Sequence, residues 1–265
     1  MLAMMLPKMK KSLVIWNEGG NLIGIGIAIV LIWGIIFPFT DWYVRSVSQR
    51  TIKKWSGDGA KICLTFDDGP DPRYTPEVLG ILQQFQIPAV FFLVGAKAER
   101  YPDLVKRIEA EGHQIGCHTY YHQHAYLLSP WKSVATIVKG RHVIEEITAK
   151  PLRWFRPPWG TLNLFQYLFL KRQQLQVVLW DADARDWKRK TGSAGVFKRL
   201  LEKVKPNSIV VLHDSGGQKG APENTVSALP GIIKQLQSDG YTFVSLNEAL
   251  GGKCDVRRWT AQKSR

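Results

Sequence analysis

Short apolar runs alternate with longer amphipathic stretches between residues 60 and 250, and this alternation limits the folds that the 265-residue chain can adopt. The strand-like runs are residues 62–66, 89–94, 114–117, 154–156, 177–180, 208–212 and 242–245. The helical stretches are residues 76–85, 102–110, 130–147, 162–172, 194–204 and 225–238. Strands that alternate with helices in this way are typical of a parallel sheet. The pattern predicts an α/β fold, most simply a distorted (β/α) barrel with about seven strands.

The composition is that of an ordinary globular domain, with 45% hydrophobic and 22% charged residues. A net charge of +14 favours contact with polyanions such as nucleic acid, anionic lipid headgroups or an acidic cell wall. No zinc-finger, RNA-recognition or basic-zipper pattern is present, so the charge does not indicate specific nucleic-acid binding. Cys63, Cys117 and Cys254 have no zinc-knuckle or disulfide spacing, and we expect the first two to pack as small apolar residues.

The N-terminal run of residues 22–39 carries no charge and is long enough to span a bilayer. Lys8, Lys10 and Lys11 precede it and Asp41 follows it, so the positive-inside rule predicts a cytoplasmic N-terminus. A cleaved signal peptide is the competing interpretation, but the run exceeds a usual signal core and no Ala-x-Ala site follows it. We predict a single-pass plasma-membrane protein whose folded domain is extracellular. Its predicted parts are a cytoplasmic segment (1–21), a signal anchor (22–40), a stalk (41–59), a catalytic domain (60–250) and a basic tail (251–265).

Two adjacent carboxylates, Asp67 and Asp68, end the first predicted strand, and a Gly-Pro turn follows them. Active sites of α/β folds lie at this end of the strands. Because neighbouring like charges raise one pKa unless a cation compensates, the pair suggests one carboxylate on a metal and one acting as a base. An Asp-Asp-Gly turn that only caps a helix is the structural alternative.

A second cluster follows the third predicted strand, where His118 and His122 are four residues apart. On a helical turn such a pair faces one direction and suits two nitrogen ligands of one metal. With Asp68 they form an Asp-His-His set, which suits zinc or another late divalent metal. His124 would point away from this face, so we interpret it as a bystander or an outer-shell group.

Three more polar clusters each follow a predicted strand. They are Arg-Pro-Pro-Trp-Gly at residues 156–160, an acid-rich segment at residues 180–187 and Leu-His-Asp-Ser at residues 212–215. The prolines can hold Arg156 against a carboxylate and present a backbone amide to an oxyanion. The aromatic ring of Trp187 can pack against the face of a sugar, and His213 is a candidate general acid.

Residues 60–250 resemble the polysaccharide deacetylases of carbohydrate esterase family 4, also described as the chitooligosaccharide deacetylase homology domain. The five motifs of that family occur in order at residues 65–70, 118–122, 156–160, 183–187 and 212–213. The resemblance implies a distorted (β/α) barrel and metal-dependent removal of an N- or O-acetyl group from a sugar. Gln123 replaces a proline that is common in the family, which affects the shape of that loop but not its ligands.

The resemblance also implies a role for each motif residue. The metal, most simply zinc with cobalt or nickel as alternatives, is expected on Asp68, His118 and His122. The residues expected to act in the reaction are Asp67 as base, Arg156 as its orienting partner, His213 as general acid and Asp186 as the residue that tunes its basic partners. The residues expected to contact substrate are Pro158, Trp159, Asp183, Trp187 and Leu212, with the amide of Trp159 as oxyanion donor.

We therefore predict a deacetylase of N-acetylated amino sugars in peptidoglycan or a chitin-like glycan. One alternative is a deacylase of another group, such as a formyl group on a lipid-linked amino sugar or an acetyl ester on xylan. A second is a non-catalytic wall-binding module, which would be expected to have lost one of Asp67, Asp68, His118, His122 or His213. A third is a polyanion-binding membrane protein with a structural metal, whose binding would fall steeply with salt. The sequence leaves open the glycan, the sugar residue, the metal, the oligomeric state and cleavage of the anchor.

Overall fold

A computed structural model of the protein describes residues 24, 34–36, 38–46, 48, 51–173 and 175–250. Within these ranges, nine strands form one sheet whose strand pairs are all parallel. The strands are β1 (Thr51–Ile52), β2 (Lys61–Asp67), β3 (Ala89–Leu93), β4 (Gln114–Cys117), β5 (Trp154–Phe155), β6 (Gln176–Val178), β7 (Ala182–Asp183), β8 (Ser208–His213) and β9 (Thr242–Phe243). The helices that follow residue 51 are α1 (Tyr74–Phe85), α2 (Gly95–Arg100), α3 (Pro102–Ala110), α4 (Pro130–Thr148), α5 (Leu164–Arg172), α6 (Gly192–Lys203), α7 (Pro222–Ser238) and α8 (Leu246–Ala249).

The sheet curls until its two ends lie close together. The strand order is β1-β6-β5-β4-β3-β2-β8-β7, and β9 pairs with the start of β2. Strands β6 and β7 are near opposite ends of this order, yet only residues 179–181 separate them in the chain. Because a chain spans at most about 3.6 Å per residue, the end of β6 and the start of β7 are no more than about 15 Å apart. The prediction of a parallel α/β fold is confirmed, in the form of a curled half-barrel.

Alternate residues of β2 face two different apolar layers. Leu64 and Phe66 are buried in the layer between the strands and the helices. Cys63 belongs to a smaller cluster, formed mainly by strand residues, inside the curled sheet. Because side chains alternate along a strand, Asp67 has the same inward direction as Cys63. The backbone of β2 therefore delivers a carboxylate to the inside of the sheet at its carboxyl end.

The helices cover the outer face of the sheet through apolar stripes. In α1, Val78, Leu79 and Leu82 are fully buried and form such a stripe. Burial of each such side chain stabilises the fold by about 1.5–3 kcal/mol. Helix α5 begins at a capping box in which the Asn163 side chain accepts from the backbone N–H of Gln166, and the Gln166 side chain accepts from that of Asn163.

Cys63 and Cys117 pack in the core as free thiols, as the sequence predicted. Burial raises the pKa of each thiol to about 12. Neither thiol is ionised at neutral pH, so neither is a reactive nucleophile. Cys254 lies outside the described residues.

The fold begins earlier in the chain than the sequence predicted. Residues 38–46 are helical, and Val44 is buried in the main core. Strand β1, within the predicted stalk of residues 41–59, pairs with β6. The stalk therefore contributes to the fold. Strands β1 and β7, of two residues each, were missed by the sequence analysis.

Most of the predicted anchor, residues 22–40, lies outside the described residues, as do residues 1–21 and 251–265. The described positions in the anchor, residues 24, 34–36 and 38–40, are helical. Among the described parts of the chain, no helix has both the length and the apolar character needed to span a bilayer.

Candidate active site

Asp67 and Asp68 lie at the carboxyl end of β2 and line one cavity. Their exposed fractions are only 3% and 7%. Asp68 has a φ of +72°, a left-handed conformation that a non-glycine residue adopts at an energetic cost. This turn lets both neighbouring carboxylates reach the cavity, where simple strand alternation would direct them to opposite faces. Such strain is common at functional sites.

Arg156 is fully buried against Asp67. Its Nη1 donates to Oδ1 of Asp67 at 2.7 Å and to Oγ1 of Thr65 at 2.6 Å. Its Nε and Nη2 donate to the carbonyl oxygens of Val178 and Leu179, each at 3.1 Å. The guanidinium is thus fixed by two strands, and it holds one oxygen of Asp67 in place.

The loop that carries His118 and His122 differs from the helical turn that the sequence predicted. Residues 118–122 contain no helix, and two of them, Thr119 at +64° and His122 at +53°, have a left-handed φ. Helix α4 contacts the loop closely, because a Cβ at Gly140 would lie 2.7 Å from the carbonyl carbon of Thr119. The two rings nevertheless meet, with centroids 5.0 Å apart. The structure brings the two rings together as expected, but not through the helical turn that the sequence predicted.

Asp68, His118 and His122 form a set whose potential ligand atoms all lie within 4.8 Å of one another. Nε2 of His122 is 3.0 Å from Oδ1 of Asp68, and Nε2 of His118 is 3.4 Å from it. Burial alone would raise the pKa of Asp68, but the two imidazoles beside it hold that pKa well below its usual value. Asp68 is therefore a carboxylate at neutral pH.

The tautomer of His118 follows from its second contact. Its Nδ1 is 2.6 Å from the carbonyl oxygen of Arg156, which can only accept a hydrogen bond, so Nδ1 carries the proton. Nε2 is then the ring nitrogen left to bind a cation beside Asp68. No donor in the described part of the chain satisfies the buried Oδ1 of Asp68. Lone pairs converging on one point, with a backbone carbonyl orienting one ring, fit a divalent cation.

His213 lies at the carboxyl end of β8 and is tied to Asp186. Its Nδ1 is 2.9 Å from Oδ1 of Asp186, and its backbone N–H donates to Oδ2 of the same residue at 2.6 Å. Thr225 in α7 donates to that Oδ2 as well, at 2.6 Å. Burial lowers the pKa of His213, yet the Asp186 carboxylate, aided by Asp68 and Asp67, raises it to about 10. His213 is therefore protonated at neutral pH and can donate a proton.

Trp159 stands at the rim of the site and is 52% exposed. Its ring centroid is 4.5 Å from that of His122 and 5.1 Å from that of His124. His124 is not in the Asp-His-His set, and its Nδ1 accepts from the N–H of Tyr126. His124 thus supports the rim of the cavity, which fits its interpretation as a group outside the set of metal ligands.

These groups share a cavity of about 690 Å³. Its lining includes Asp67, Asp68, His118, His122, Trp159, Asp183, Trp187 and His213. Arg156 and Asp186 lie behind it as buried partners of Asp67 and His213. Predicted residues from five separate segments of the sequence therefore converge on one cavity.

Two predicted substrate contacts lie elsewhere. Leu212 is fully buried in the layer between strands and helices, because it has the opposite direction to His213 on β8. It has no exposed surface for a sugar, so the prediction of a substrate contact is wrong for its side chain. Pro158 is buried in a short 3-10 turn and shapes the loop below Trp159.

Lys97, Tyr121 and Asp214 are among the groups at the site that the sequence analysis missed. Lys97, on the short helix α2, donates to the backbone oxygen of Asp68 at 2.8 Å and to Ser215 at 2.7 Å. Tyr121 also lines the cavity, but the sequence analysis gave roles only to the two histidines of its motif. Asp214 is fully buried and accepts from Thr75, and burial raises its pKa to about 7. The position of Lys97 in the segment that follows β3 was a usable signal.

Comparisons with known proteins identify relatives of this chain. The polysaccharide deacetylase family profile matches residues 55–177. A peptidoglycan-N-acetylglucosamine deacetylase of Bacillus cereus is 40% identical over 191 residues, which cover 71% of this chain and 87% of the relative.

Solved structures share the fold as well. A crystal structure of a peptidoglycan N-acetylglucosamine deacetylase in complex with a benzamide compound matches with a TM-score of 0.73 and 32% identity, covering 78% of this chain and 95% of the other. A family 4 pseudoenzyme from Bacillus anthracis matches with a TM-score of 0.69 and 25% identity, covering 78% and 70%. Because a pseudoenzyme shares the fold, the site residues bear more directly on activity than the fold does.

Proposed function

The chain belongs to the polysaccharide deacetylase family, carbohydrate esterase family 4, and on that premise we propose that it hydrolyses the N-acetyl group of amino sugars in peptidoglycan. The family is hydrolytic, and relatives of this chain are named as deacetylases. The substrate proposal is based on the peptidoglycan relatives at 40% and 35% identity.

One observation carries the proposal. The Asp-His-His set shares one cavity with a carboxylate held by a buried arginine, Asp67, and a protonated imidazole held by a buried carboxylate, His213. Amide hydrolysis needs these three functions: activation of the carbonyl, a base for water and an acid for the leaving amine. A purely structural metal site would need neither the buried ion pair nor the charged imidazole.

We propose that Asp68, His118 and His122 hold a divalent metal, with zinc first and cobalt or nickel as alternatives. When bound, such a metal polarises a carbonyl and lowers the pKa of a coordinated water toward about 7. Two imidazoles and one carboxylate leave positions open for water and substrate, as in catalytic zinc sites.

Asp67 is the proposed base. Arg156 holds its Oδ1, so Oδ2 remains to accept a proton from the attacking water. Oδ2 lies 4.0 Å from Nε2 of His118, next to the proposed metal position. The fixed orientation means that little conformational freedom is lost when the water is bound.

His213 is the proposed acid. An amine leaves a tetrahedral intermediate only after it gains a proton, and His213 carries one at neutral pH. Asp186 stabilises the charged ring and fixes its orientation through Nδ1, which leaves Nε2 free to face the substrate.

The remaining contacts act on the developing oxyanion and on the sugar. We propose the backbone amide of Trp159 as an oxyanion donor, since loss of one such donor typically costs on the order of 10²–10³ in rate. The exposed rings of Trp159, Trp187 and Tyr121 border the cavity and can stack on sugar faces. Asp183 lies on the same wall and is a proposed contact for sugar hydroxyls.

We also propose that the enzyme is anchored in the plasma membrane by residues 22–40, with the catalytic domain outside the cell. The uncharged run and the preceding lysines support this topology. A net charge of +14 would favour contact with an anionic wall or lipid headgroups, and no specific nucleic-acid site is proposed.

Acetate release tests the proposal directly. The full chain is purified with zinc and incubated with peptidoglycan, chitooligosaccharides and acetylxylan, and released acetate and formate are measured. We expect acetate release to be fastest from peptidoglycan. Faster release from acetylxylan would favour the xylan esterase alternative, and no release from any substrate would favour the non-catalytic alternative.

A further inference from the structure

We propose that Arg45 is a positioning residue of the active site, so that residues 38–46, the N-terminal helical segment, are part of the catalytic unit. The family match begins at residue 55, so this segment lies outside the matched region. The inference rests on the proposed deacetylase function, because the loop that Arg45 contacts carries the proposed oxyanion donor.

The guanidinium of Arg45 links the segment to the loop at residues 158–160. Its Nη2 donates to the carbonyl oxygen of Gly160 at 2.7 Å and to that of Trp159 at 3.2 Å. Its Nε donates to Oδ2 of Asp41 at 2.8 Å, one helical turn earlier. Asp41 thus orients the guanidinium, and one nitrogen holds two consecutive carbonyls.

The loop has a conformation that needs such a donor. Trp159 and Gly160 both have a left-handed φ, at +54° and +68°. Their carbonyl oxygens converge on one nitrogen of Arg45, and without a donor the two negative dipoles would face each other. Gly160 is also confined, since a Cβ there would lie 3.1 Å from Nη2 of Arg45 and 3.1 Å from the ring of Trp180. Arg45 and Trp180 therefore hold the loop from two sides.

The loop that Arg45 holds borders the Asp-His-His set. The ring of Trp159 lies 4.5 Å from the ring of His122, centroid to centroid. A shift of Trp159 would move the proposed oxyanion amide and the support of His122 together. Displacements of about 1 Å in a catalytic group can lower the rate by about 10²-fold.

The segment is docked in the fold, so Arg45 is held in a defined position. Val44 is 2% exposed and packs in the main core. Tyr43 makes an edge contact with Tyr167 of α5, with ring centroids 5.9 Å apart. The helical segment that carries Arg45 is therefore packed against the domain, and this packing places Arg45 beside the loop.

The test uses point variants of the full chain, assayed at temperatures well below their unfolding midpoints. Arg45→Ala removes both contacts, Arg45→Lys keeps the charge without the guanidinium fork, and Asp41→Asn weakens the orientation. Val44→Ala is the matched control, because it loosens packing of the same segment and leaves Arg45 in place. We expect Arg45→Ala to lower kcat by about 10–100-fold, with smaller changes in KM and zinc content, because the three proposed metal ligands and most of the cavity lining lie outside this loop. Arg45→Lys should recover part of that loss, and Val44→Ala should lower Tm with nearly normal kcat.

Hydrogen exchange of the loop gives a readout that does not depend on activity. We expect amides of residues 159–161 to exchange faster in Arg45→Ala, with no change in β8. Absence of acetate release by the unaltered protein would contradict the proposed function, while faster loop exchange would still show that Arg45 holds the loop. If Arg45→Ala keeps both normal kcat and normal loop exchange, or if Val44→Ala loses as much kcat as Arg45→Ala, the positioning role is wrong.

Discussion

Asp67 and His213 are register partners on the adjacent parallel strands β2 and β8. Both lie at the carboxyl ends of these strands and line the same cavity. Each has its own buried counter-ion, Arg156 for Asp67 and Asp186 for His213. The proposed base and the proposed acid are therefore fixed by strand register, whereas the residues of the Asp-His-His set lie in the segments that follow β2 and β4. A site on strands holds its geometry more closely than a site on loops.

The pair His213 and Asp186 predicts the alkaline limb of the pH profile. Asp186 contributes to a His213 pKa of about 10, so replacing the carboxylate by an amide should lower that pKa. In Asp186→Asn the ring then loses its proton at lower pH, and the alkaline limb of kcat should shift to lower pH. The measurement is kcat from acetate release between pH 6 and pH 10, in buffers of matched ionic strength.

Thr225→Val is the control for this shift. Thr225 donates a hydrogen bond to Asp186 but carries no charge, so its loss should move the limb much less. The His213–Asp186 pair should also make the free energy of unfolding fall as pH rises. Because the folded-state pKa is raised above its unfolded value near 6.5, the stabilisation by this pair is fully present below that pH and is lost as pH rises through about 10. An alkaline limb unchanged in Asp186→Asn would contradict the assignment of His213.

Zinc content should distinguish the two ligand histidines of the loop at residues 118–124 from the third histidine, His124. His118→Ala and His122→Ala each remove a ligand, so we expect zinc content to fall severely and activity with it. His124→Ala removes only a ring contact to Trp159 and a cap on Tyr126, so its zinc content should stay near normal. A chelator should abolish activity, and zinc, cobalt or nickel should restore it. Equal zinc loss in His124→Ala and His122→Ala would show that the ligand set has been misassigned.

Gly140 predicts a dependence of the metal site on helix packing. A Cβ at Gly140 would lie 2.7 Å from the carbonyl carbon and 2.8 Å from the carbonyl oxygen of Thr119, so Gly140→Ala must displace the loop between His118 and His122. We expect weaker zinc binding, by about 10–100-fold if the displacement acts like loss of an outer-shell contact. The measurement is zinc affinity by competition with a chromophoric chelator.

Gly80→Ala is the matched control for that variant. Gly80 lies on the exposed face of α1, where nothing lies within 4 Å of an added Cβ. Alanine is the better helix former by about 1 kcal/mol, so Gly80→Ala should be neutral or stabilising with normal zinc affinity. Normal zinc affinity in Gly140→Ala would mean that the loop adapts without moving its ligands.

Much of this site was predictable because its motifs follow strands. Parallel strands bring their carboxyl ends to one edge, so Asp67, Arg156 and His213 could be predicted to meet once the strands were placed. The error at His118 and His122 has a local cause. Four-residue spacing is typical of a helix, but left-handed residues can bring the same two side chains together in a loop.

The contributions of the N-terminal segment and of Lys97 were harder to predict. The role of Arg45 depends on contacts to residues 159 and 160, more than a hundred positions away, which no local pattern indicates. Leu212 was assigned to the substrate because its motif contains it, although strand alternation beside His213 already directs it outward. Local periodicity predicts the direction of a side chain better than motif membership does.

Membrane topology gives a separate prediction. If residues 22–40 anchor the protein with its N-terminus in the cytoplasm, protease added to intact cells or spheroplasts should digest the chain beyond Asp41. The check is immunoblotting with a tag at each end, and a cytoplasmic protein serves as the control for cell integrity. Full protection of the C-terminal tag in intact cells, with digestion after lysis, would overturn the proposed orientation.

The central claim is the division of labour between the two neighbouring carboxylates, and metal content measured beside rate tests it most directly. Asp67→Asn keeps the shape of the side chain and removes its proton affinity, so we expect full zinc content and a loss of about 10²–10⁴ in kcat. Asp68→Asn removes a ligand charge, so we expect low zinc content and partial recovery of rate in excess zinc. Both variants are purified in parallel and assayed for zinc and for acetate release. A zinc-free Asp67→Asn beside a fully loaded Asp68→Asn would reverse the two roles and contradict the account.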